Sequence, residues 1–416
     1  MPTLPAVGRN PQVILDDLEQ RKELDVRWRE GRAFSLAYFA GPEVADLAEK
    51  AYRRFGGDNA LNPGAFPSLK ALNNDVIDTV RDWVAGEPDA AGFLTSGGTE
   101  SLLMAVKAAR DRGRAERGVV KPNVVLPTSA HAAFEKAAHY FGLENRRIAV
   151  RDDWRADVEA MAAAVDDNTV LIVGSAPQYP QGVIDDIAGI AAVAAERDIN
   201  CHVDACMGGV VLAYLERLGE PIPPWNLAVP GVSSISVDLH KFGYTAKGAS
   251  AIIYANKSLR SYQSFVTDNW LGGFYGSSGV LGTKSAGPLA AAWAVMQHLG
   301  DDGYLRVTAA ARAATKELAN GLANIPDLVL RAEPQTMLIA FGASDPDSLD
   351  VFAVADQLWS RGWYVDRQTP PDSLHCTVNA VHHDKIEPFL TDLRAAIKTV
   401  KENSQRGDVG TYGAVE

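Results

Sequence analysis

The sequence predicts an α/β protein: a large domain on a mostly parallel sheet, followed by a smaller α+β domain. Three observations carry this. Short continuous apolar runs recur from about Ala90 to Tyr254, most of them separated by stretches rich in Ala, Leu and Glu that suit helices. Runs that are continuous rather than alternating mark strands buried on both faces, as in parallel sheets covered by helices. The length of 416 residues exceeds one simple core, so two lobes are expected. After about Pro288 the pattern changes to longer helical segments with a few short apolar runs.

In chain order, residues 1–55 are charged and helix-prone, Asp16 to Arg32 especially, and form an expected N-terminal helical arm. Gly56 to Ser68 is rich in Pro, Gly and Asn and reads as an irregular loop. The expected strands of the large domain (56–290) are Gly92 to Thr95, Asn123 to Pro127, Thr169 to Gly174, Asn200 to Val203, Val232 to Val237 and Ala249 to Tyr254. A helix is expected over 100–112. The small domain (291–416) should hold helices from Leu289 to Leu299, Tyr304 to Ala323, 349–361 and Lys385 to Lys401. Short runs at Leu328 to Arg331 and Thr336 to Phe341 supply its strands.

Composition excludes several classes. A hydrophobic fraction of 47% and a charged fraction of 22% are those of an ordinary soluble enzyme. The net charge of -12 argues against nucleic acid, which needs a basic face. Cys201, Cys206 and Cys376 form neither a disulfide framework nor a zinc spacing, so a reducing cytoplasm is expected. The sequence shows no signal-peptide pattern and no apolar run long enough to span a bilayer.

The chemistry concentrates in three motifs. His202-Val203-Asp204-Ala205-Cys206 ends an apolar run in an acid, and Ser236-Val237-Asp238-Leu239-His240-Lys241 ends a later one in His-Lys. This pairing suits pyridoxal 5'-phosphate (PLP). That cofactor needs a lysine amine for its aldehyde and a carboxylate against its ring nitrogen, because a protonated ring is the electron sink. Lys241 and Asp204 fit those roles, although singly they read as a surface amine and a helix cap. Thr95-Ser96-Gly97-Gly98-Thr99-Glu100 closes a strand and opens a helix, where backbone N–H groups and the helix dipole suit a phosphate. Thr99 also suits plain N-capping. Ser129-Ala130-His131 follows the next strand, and its imidazole either stacks on the cofactor ring or only satisfies backbone. His240 either donates to the cofactor phosphate or is a polar turn residue.

These stretches resemble the sphingosine-1-phosphate lyases of the PLP-dependent group II decarboxylase family, which have the aspartate aminotransferase-like fold (fold type I). Matching segments include Phe66-Pro67-Ser68, Thr95 to Ser101, Ser129 to Phe134, Ala176 to Pro180 and His202 to Gly209. The match continues through Asp238, His240-Lys241, Gly243-Tyr244, Lys247-Gly248, Trp270, Gly272-Gly273 and Tyr275, and Gly410 to Gly413 is similar to a tail motif of the family. By that resemblance Lys241 carries the cofactor and Asp204 pairs with its ring nitrogen. His131 stacks on the ring, and Gly98, Thr99 and His240 hold the phosphate. Tyr38, Tyr179 and Lys247 match positions near the substrate, with Lys247 a candidate for substrate phosphate contact or proton transfer. Tyr275 and Asn62 complete the implied substrate shell. The resemblance also implies a homodimer in which the loop from Trp270 to Gly287 reaches the partner's site. The implied reaction is retro-aldol cleavage of a phosphorylated long-chain β-hydroxy amine to an aldehyde and phosphoethanolamine.

The chain departs from the family pattern in its substrate shell. Asn62 stands where the family usually has a histidine, and Gly64 where it has an aspartate. Asparagine donates hydrogen bonds but carries no charge. Lys284, in Thr283-Lys284-Ser285-Ala286-Gly287, replaces an arginine and loses its bidentate fork. The alternative reading is an amino-acid decarboxylase on the same scaffold. A PLP-binding regulator would need a basic DNA-binding module, and the acidic N-terminal arm offers none.

Overall fold

The computed structural model describes residues 4–61 and 64–409. The large domain is built on β1 (Ala91–Thr95), β2 (Asn123–Pro127), β3 (Glu144–Ile148), β4 (Thr169–Ser175), β5 (Asn200–Asp204), β6 (Ser234–Val237) and β7 (Ser250–Tyr254). They form one seven-stranded sheet in the order β1-β7-β6-β5-β4-β2-β3. Strands β2 to β6 pair in parallel, and β7 runs antiparallel between β6 and β1. Every residue of β2, β4, β5, β6 and β7 is buried, which is why their sequences are apolar runs. Strand β3 is the exception. It lies at the sheet edge, and its Glu-Asn-Arg-Arg-Ile sequence gives no apolar run. Arg146 there is held by Glu144 and Asp166 at 3.0 and 2.8 Å.

After β7 a hairpin of β8 (Phe265–Thr267) and β9 (Tyr275–Ser277) projects from the body. Phe265, Val266, Trp270, Leu271 and Phe274 are all exposed along it. The helix Gly287–Ala323 then runs through both lobes. Its two sequence-predicted halves meet at Gly300, whose φ of 55° and ψ of -172° break the helical path. The small domain holds β10 (Leu328–Leu330), β11 (Leu338–Ala343), β12 (Asp366–Gln368) and β13 (Ser373–Thr377), an antiparallel sheet in the order β10-β11-β13-β12. Helices Val351–Trp359 and Ile386–Asn403 cover it.

The N-terminal segment differs from a uniform helix. The first helix is Pro11–Gln20; it buries no residue and stops well before Arg32. So short an exposed helix is held by local propensity, its Asn10 cap and surface pairs such as Arg9 with Asp17. Farther on, Phe34 is fully buried in the small-domain core, stacked at 4.2 Å on His382 and 4.6 Å from Phe389. The helix Pro42–Phe55 instead buries Val44 and Ala48 in the large-domain core.

Candidate active site

The site forms where the parallel strands end, the usual crevice of an α/β sheet. Each terminus delivers a side chain: β2 leads to Ser129 and His131, β4 to Tyr179, β5 ends on Asp204, and β6 leads to Asp238, His240 and Lys241. The turn after β6 is tight. Tyr244 adopts a left-handed φ of 56°, strain of a kind that marks functional turns.

The Lys241 amine lies 2.9 Å from the buried Asp238 carboxylate, and His240 Nε2 lies 3.8 Å from the same oxygen. Burial opposes the Lys241 charge, yet Asp238, with help from Tyr38 and Cys206, holds the amine well above the ordinary lysine range. Asp238 is the acid that the sequence reading left without a role. Its signal was its place three residues before Lys241 at a strand end.

Asp204 is buried at the end of β5. Its Oδ1 accepts from the Cys206 backbone N–H at 3.1 Å and from Ser236 Oγ at 3.4 Å. Behind it, His202 bonds Ser234 at 2.8 Å and Ser236 at 3.3 Å. Cys201 and Cys206 are buried core thiols whose ionisation burial pushes up. His131 Nδ1 accepts from the Ala133 N–H at 3.1 Å, which fixes the ring plane. Burial pushes its pKa down against the pull of Asp204, so the ring is neutral and suited to stacking.

The helix Gly98–Arg117 begins with Gly97 as its N-cap and no side-chain cap bond, so Thr99 does not cap it. Instead, Glu100 Oε2 accepts from Ser96 N–H at 2.6 Å and Ser96 Oγ at 2.7 Å, and its Oε1 accepts from Val280 N–H at 2.7 Å. A Cβ on Gly98 would lie 2.8 Å from Asp238 Oδ2 and 2.9 Å from Cys206 Sγ. Gly98→Ala should therefore lower stability by about 1–3 kcal/mol in thermal unfolding and weaken cofactor retention in a spectroscopic titration.

These residues fit PLP on internal grounds. Among the described residues, Ser129 Oγ, Asp238 Oδ1 and His240 Nδ1 are buried without a hydrogen-bond partner. Buried polar atoms of this kind are costly unless a further group meets them. Together with the uncapped helix start at Gly97-Gly98, they suit a phosphorylated, polar-rimmed ring.

Lys247 is exposed on the lining of a solvent-open cleft. Its amine donates to the His240 carbonyl at 3.3 Å and sits 4.9 Å over the Tyr38 ring. Tyr38 packs edge-on against Phe242 at 5.1 Å, and its hydroxyl approaches Met207 Sδ at 3.7 Å. Surrounding protein and the nearby Lys241 charge push the Lys247 amine down to about 8. Lys247 and Lys284 line one cavity of about 500 Å³ with Thr95, Ser96 and Arg260. Lys284 donates to the Leu94 carbonyl at 3.3 Å and lies 4.7 Å over Phe93. Asn62 and Gly410 to Gly413 lie outside the described residues, but the loop that leads to Asn62 is tied here, Ala60 N–H donating to the Lys284 carbonyl at 2.9 Å. Tyr275 stands on the β8–β9 hairpin with its ring against Trp270 and Phe265. The structure thus gathers Lys241, Asp238, His240, Lys247 and Tyr38 and leaves Tyr275 on the hairpin.

A second cavity of about 730 Å³ is lined by His131 together with Ser129, Tyr179, Arg147, Asp366 and Arg367. Tyr179 donates to Asp366 Oδ2 at 2.6 Å. Asp366 is invisible to motif reading, because only the packing of the small domain brings it here.

A buried lysine–acid pair, a second acid ending a central strand and an uncapped Gly-Gly helix start define a pyridoxal-dependent enzyme site. The chain belongs to the pyridoxal-dependent decarboxylase family, whose conserved-domain model matches residues 10–344. Within that family it is similar to sphingosine-1-phosphate lyases. It is 38% identical over 416 residues to sphingosine-1-phosphate lyase 1 of Rattus norvegicus, covering 99% of this chain and 72% of that protein. To sphingosine-1-phosphate lyase of Oryza sativa it is 39% identical over 422 residues, covering 99% of this chain and 77% of that one. The solved structure of a Burkholderia pseudomallei sphingosine-1-phosphate lyase superposes with a TM-score of 0.91 at 35% identity, covering 97% of this chain and 94% of that chain.

Proposed function

We propose that the protein is a PLP-dependent carbon–carbon lyase. Its substrate is a phosphorylated long-chain β-hydroxy amine of the sphingosine-1-phosphate type, and its products are an aldehyde and phosphoethanolamine. The observation that carries this reading is the placement of Lys247 and Lys284 in one cavity beside the Lys241 turn, where a phosphorylated substrate needs cations. The lyase relatives support it.

Bound at Lys241, PLP supplies an electron sink for the pair left on Cα when the Cα–Cβ bond breaks. Asp204 would pair its carboxylate with the ring nitrogen, and His131 would stack on the ring. Gly98, Thr99 and His240 would hold the cofactor phosphate. Lys247 binds the substrate phosphate or moves the β-hydroxyl proton, a task suited to an amine near 8. Tyr38 and Tyr179 orient the substrate, and Asn62 serves its phosphate end. The working unit is a cytoplasmic homodimer, with the hairpin that carries Tyr275 reaching across to the second site. The exposed apolar residues of that hairpin support a covered surface there. A cofactor domain (56–290) and a small domain (291–416) are its parts, and the N-terminal segment gives Phe34 to the small-domain core and the helix Pro42–Phe55 to the large-domain core. No helix among the described residues is long and apolar enough to cross a membrane.

The test compares a sphingoid base phosphate with the unphosphorylated base. The phosphorylated substrate should be favoured by roughly two orders of magnitude in kcat/KM, as loss of charge-assisted bonds of about 1.5–3 kcal/mol implies. Equal rates would contradict the reading. The pH dependence gives a second check. The Lys247 amine is charged below about 8 and neutral above it. KM for the phosphorylated substrate should therefore rise as pH passes upward through that value. Lys247→Arg should remove this rise, since a guanidinium stays charged throughout.

A further inference from the structure

The second cavity, which His131 also lines, holds a carboxylate with an unusual set of partners. Asp366 is the first residue of β12 in the small domain and is buried. Its Oδ2 accepts from Tyr179 at 2.6 Å and, in a very short contact, from Ser35. Its Oδ1 accepts from Tyr364 at 2.8 Å. Three hydroxyls from three parts of the chain thus solvate this carboxylate, and among the described residues no arginine or lysine pairs with it. His375 lies beside Tyr179 at 4.2 Å, but burial pushes its pKa down to about 4, so it is neutral.

The cations that line the same cavity are committed elsewhere. Arg147 donates to the Thr128 and Ala130 carbonyls at 2.8 and 2.7 Å and faces Glu135 at 3.7 Å. Arg367 pairs with Asp356 and the Asp408 carbonyl. Arg147 thus faces Glu135 and Arg367 pairs with Asp356, which leaves Asp366 as the acid on this cavity with no cation of its own among the described residues.

We propose that Asp366 is a specificity-determining residue that turns away substrates bearing an α-carboxylate. This rests on the lyase reading above and extends it. An α-amino acid would place a second anion in a cavity already holding Asp366, and like charges at close range in a partly buried site repel strongly. An amine with only hydrogen at that position meets no such penalty. The same scaffold carries decarboxylases, which must accept a carboxylate there; Asp366 separates the two chemistries at the binding step. Its hydroxyl partners hold the charge in place rather than neutralise it.

O-phosphoserine and phosphoethanolamine differ only by the α-carboxylate, so their affinities for the holoenzyme isolate this effect. Binding is read from the change in cofactor absorption. The wild-type enzyme should prefer phosphoethanolamine, and Asp366→Asn should shift the ratio toward O-phosphoserine by about tenfold or more. Ser35→Ala, which removes one hydroxyl and keeps the charge, should leave the ratio within about threefold. If Asp366→Asn does not fold, Asp366→Ser removes the same charge with less bulk. An unchanged ratio in the neutral variant, or an equal shift in Ser35→Ala, would overturn the proposal. A wild-type enzyme blind to phosphoethanolamine would sink the lyase reading alone. The O-phosphoserine affinity of Asp366→Asn relative to wild type would still decide the role of Asp366.

Discussion

Lys241→Ala is expected to give a protein that no longer holds the visible-edge absorption of bound cofactor and that turns over at least about three orders of magnitude more slowly. At about 1.36 kcal/mol per factor of ten, that is roughly 4 kcal/mol of barrier. The reasons are structural. Lys241 is the one amine on the tight turn after β6, and it lies 2.9 Å from the buried Asp238 carboxylate. No other lysine occupies that position; Lys247 lies across the His240 carbonyl in the outer cleft. The alanine variant also strands Asp238, which is 2% exposed and depends on Lys241 for charge. Removing one member of a buried pair destabilises by about 3–5 kcal/mol. Lys241→Arg separates the two effects. It keeps a cation against Asp238 and should fold and retain cofactor weakly, yet remain inactive because a guanidinium does not form the covalent link. Absorption spectra and thermal unfolding of both variants check this. An active Lys241→Arg enzyme would contradict the assignment.

Asp204→Asn should fold normally and lose roughly 10²–10⁴ in kcat, matching the about 3–5 kcal/mol of a broken buried charge pair. An asparagine Oδ1 can still accept from Cys206 N–H and Ser236 Oγ, the two contacts that fix the side chain now. In the proposed mechanism it loses the carboxylate that would hold a proton on the ring nitrogen. The variant should therefore keep its cofactor while its absorption spectrum shifts and KM changes little. A fall in thermal stability with an unshifted spectrum would instead make Asp204 a structural residue of β5.

The core of the large domain was legible because burial on both faces forces continuous apolar sequences. Asn123–Pro127 is a strand with the same bounds in sequence and structure, and β4 to β7 differ by a residue or two at their ends. Strand β3 was not legible, because an edge strand faces solvent and its arginines and glutamate satisfy each other instead of a core. Strands β12 and β13 escaped for another reason. Asp366–Gln368 is short and polar, and it is a strand only because β13 lies beside it.

The site divides the same way. Lys241, Asp204, Gly98 and His240 sit at strand ends and helix starts, where chemistry leaves a local motif. Asp238 had such a signal and was passed over. The contacts of Tyr179 with Asp366 span 187 positions of sequence, and those of Ser35 with Asp366 span 331. Contacts at that separation are made by the docking of the small domain, and no local pattern encodes them.

The most direct measurement is product analysis by mass spectrometry after incubating the PLP-loaded enzyme with a sphingoid base phosphate and, separately, with a panel of amino acids. The account predicts phosphoethanolamine and a long-chain aldehyde in equal amounts from the first, and no decarboxylated amine from the second. Amines and carbon dioxide from the amino acids, with the sphingoid base phosphate left intact, would contradict it.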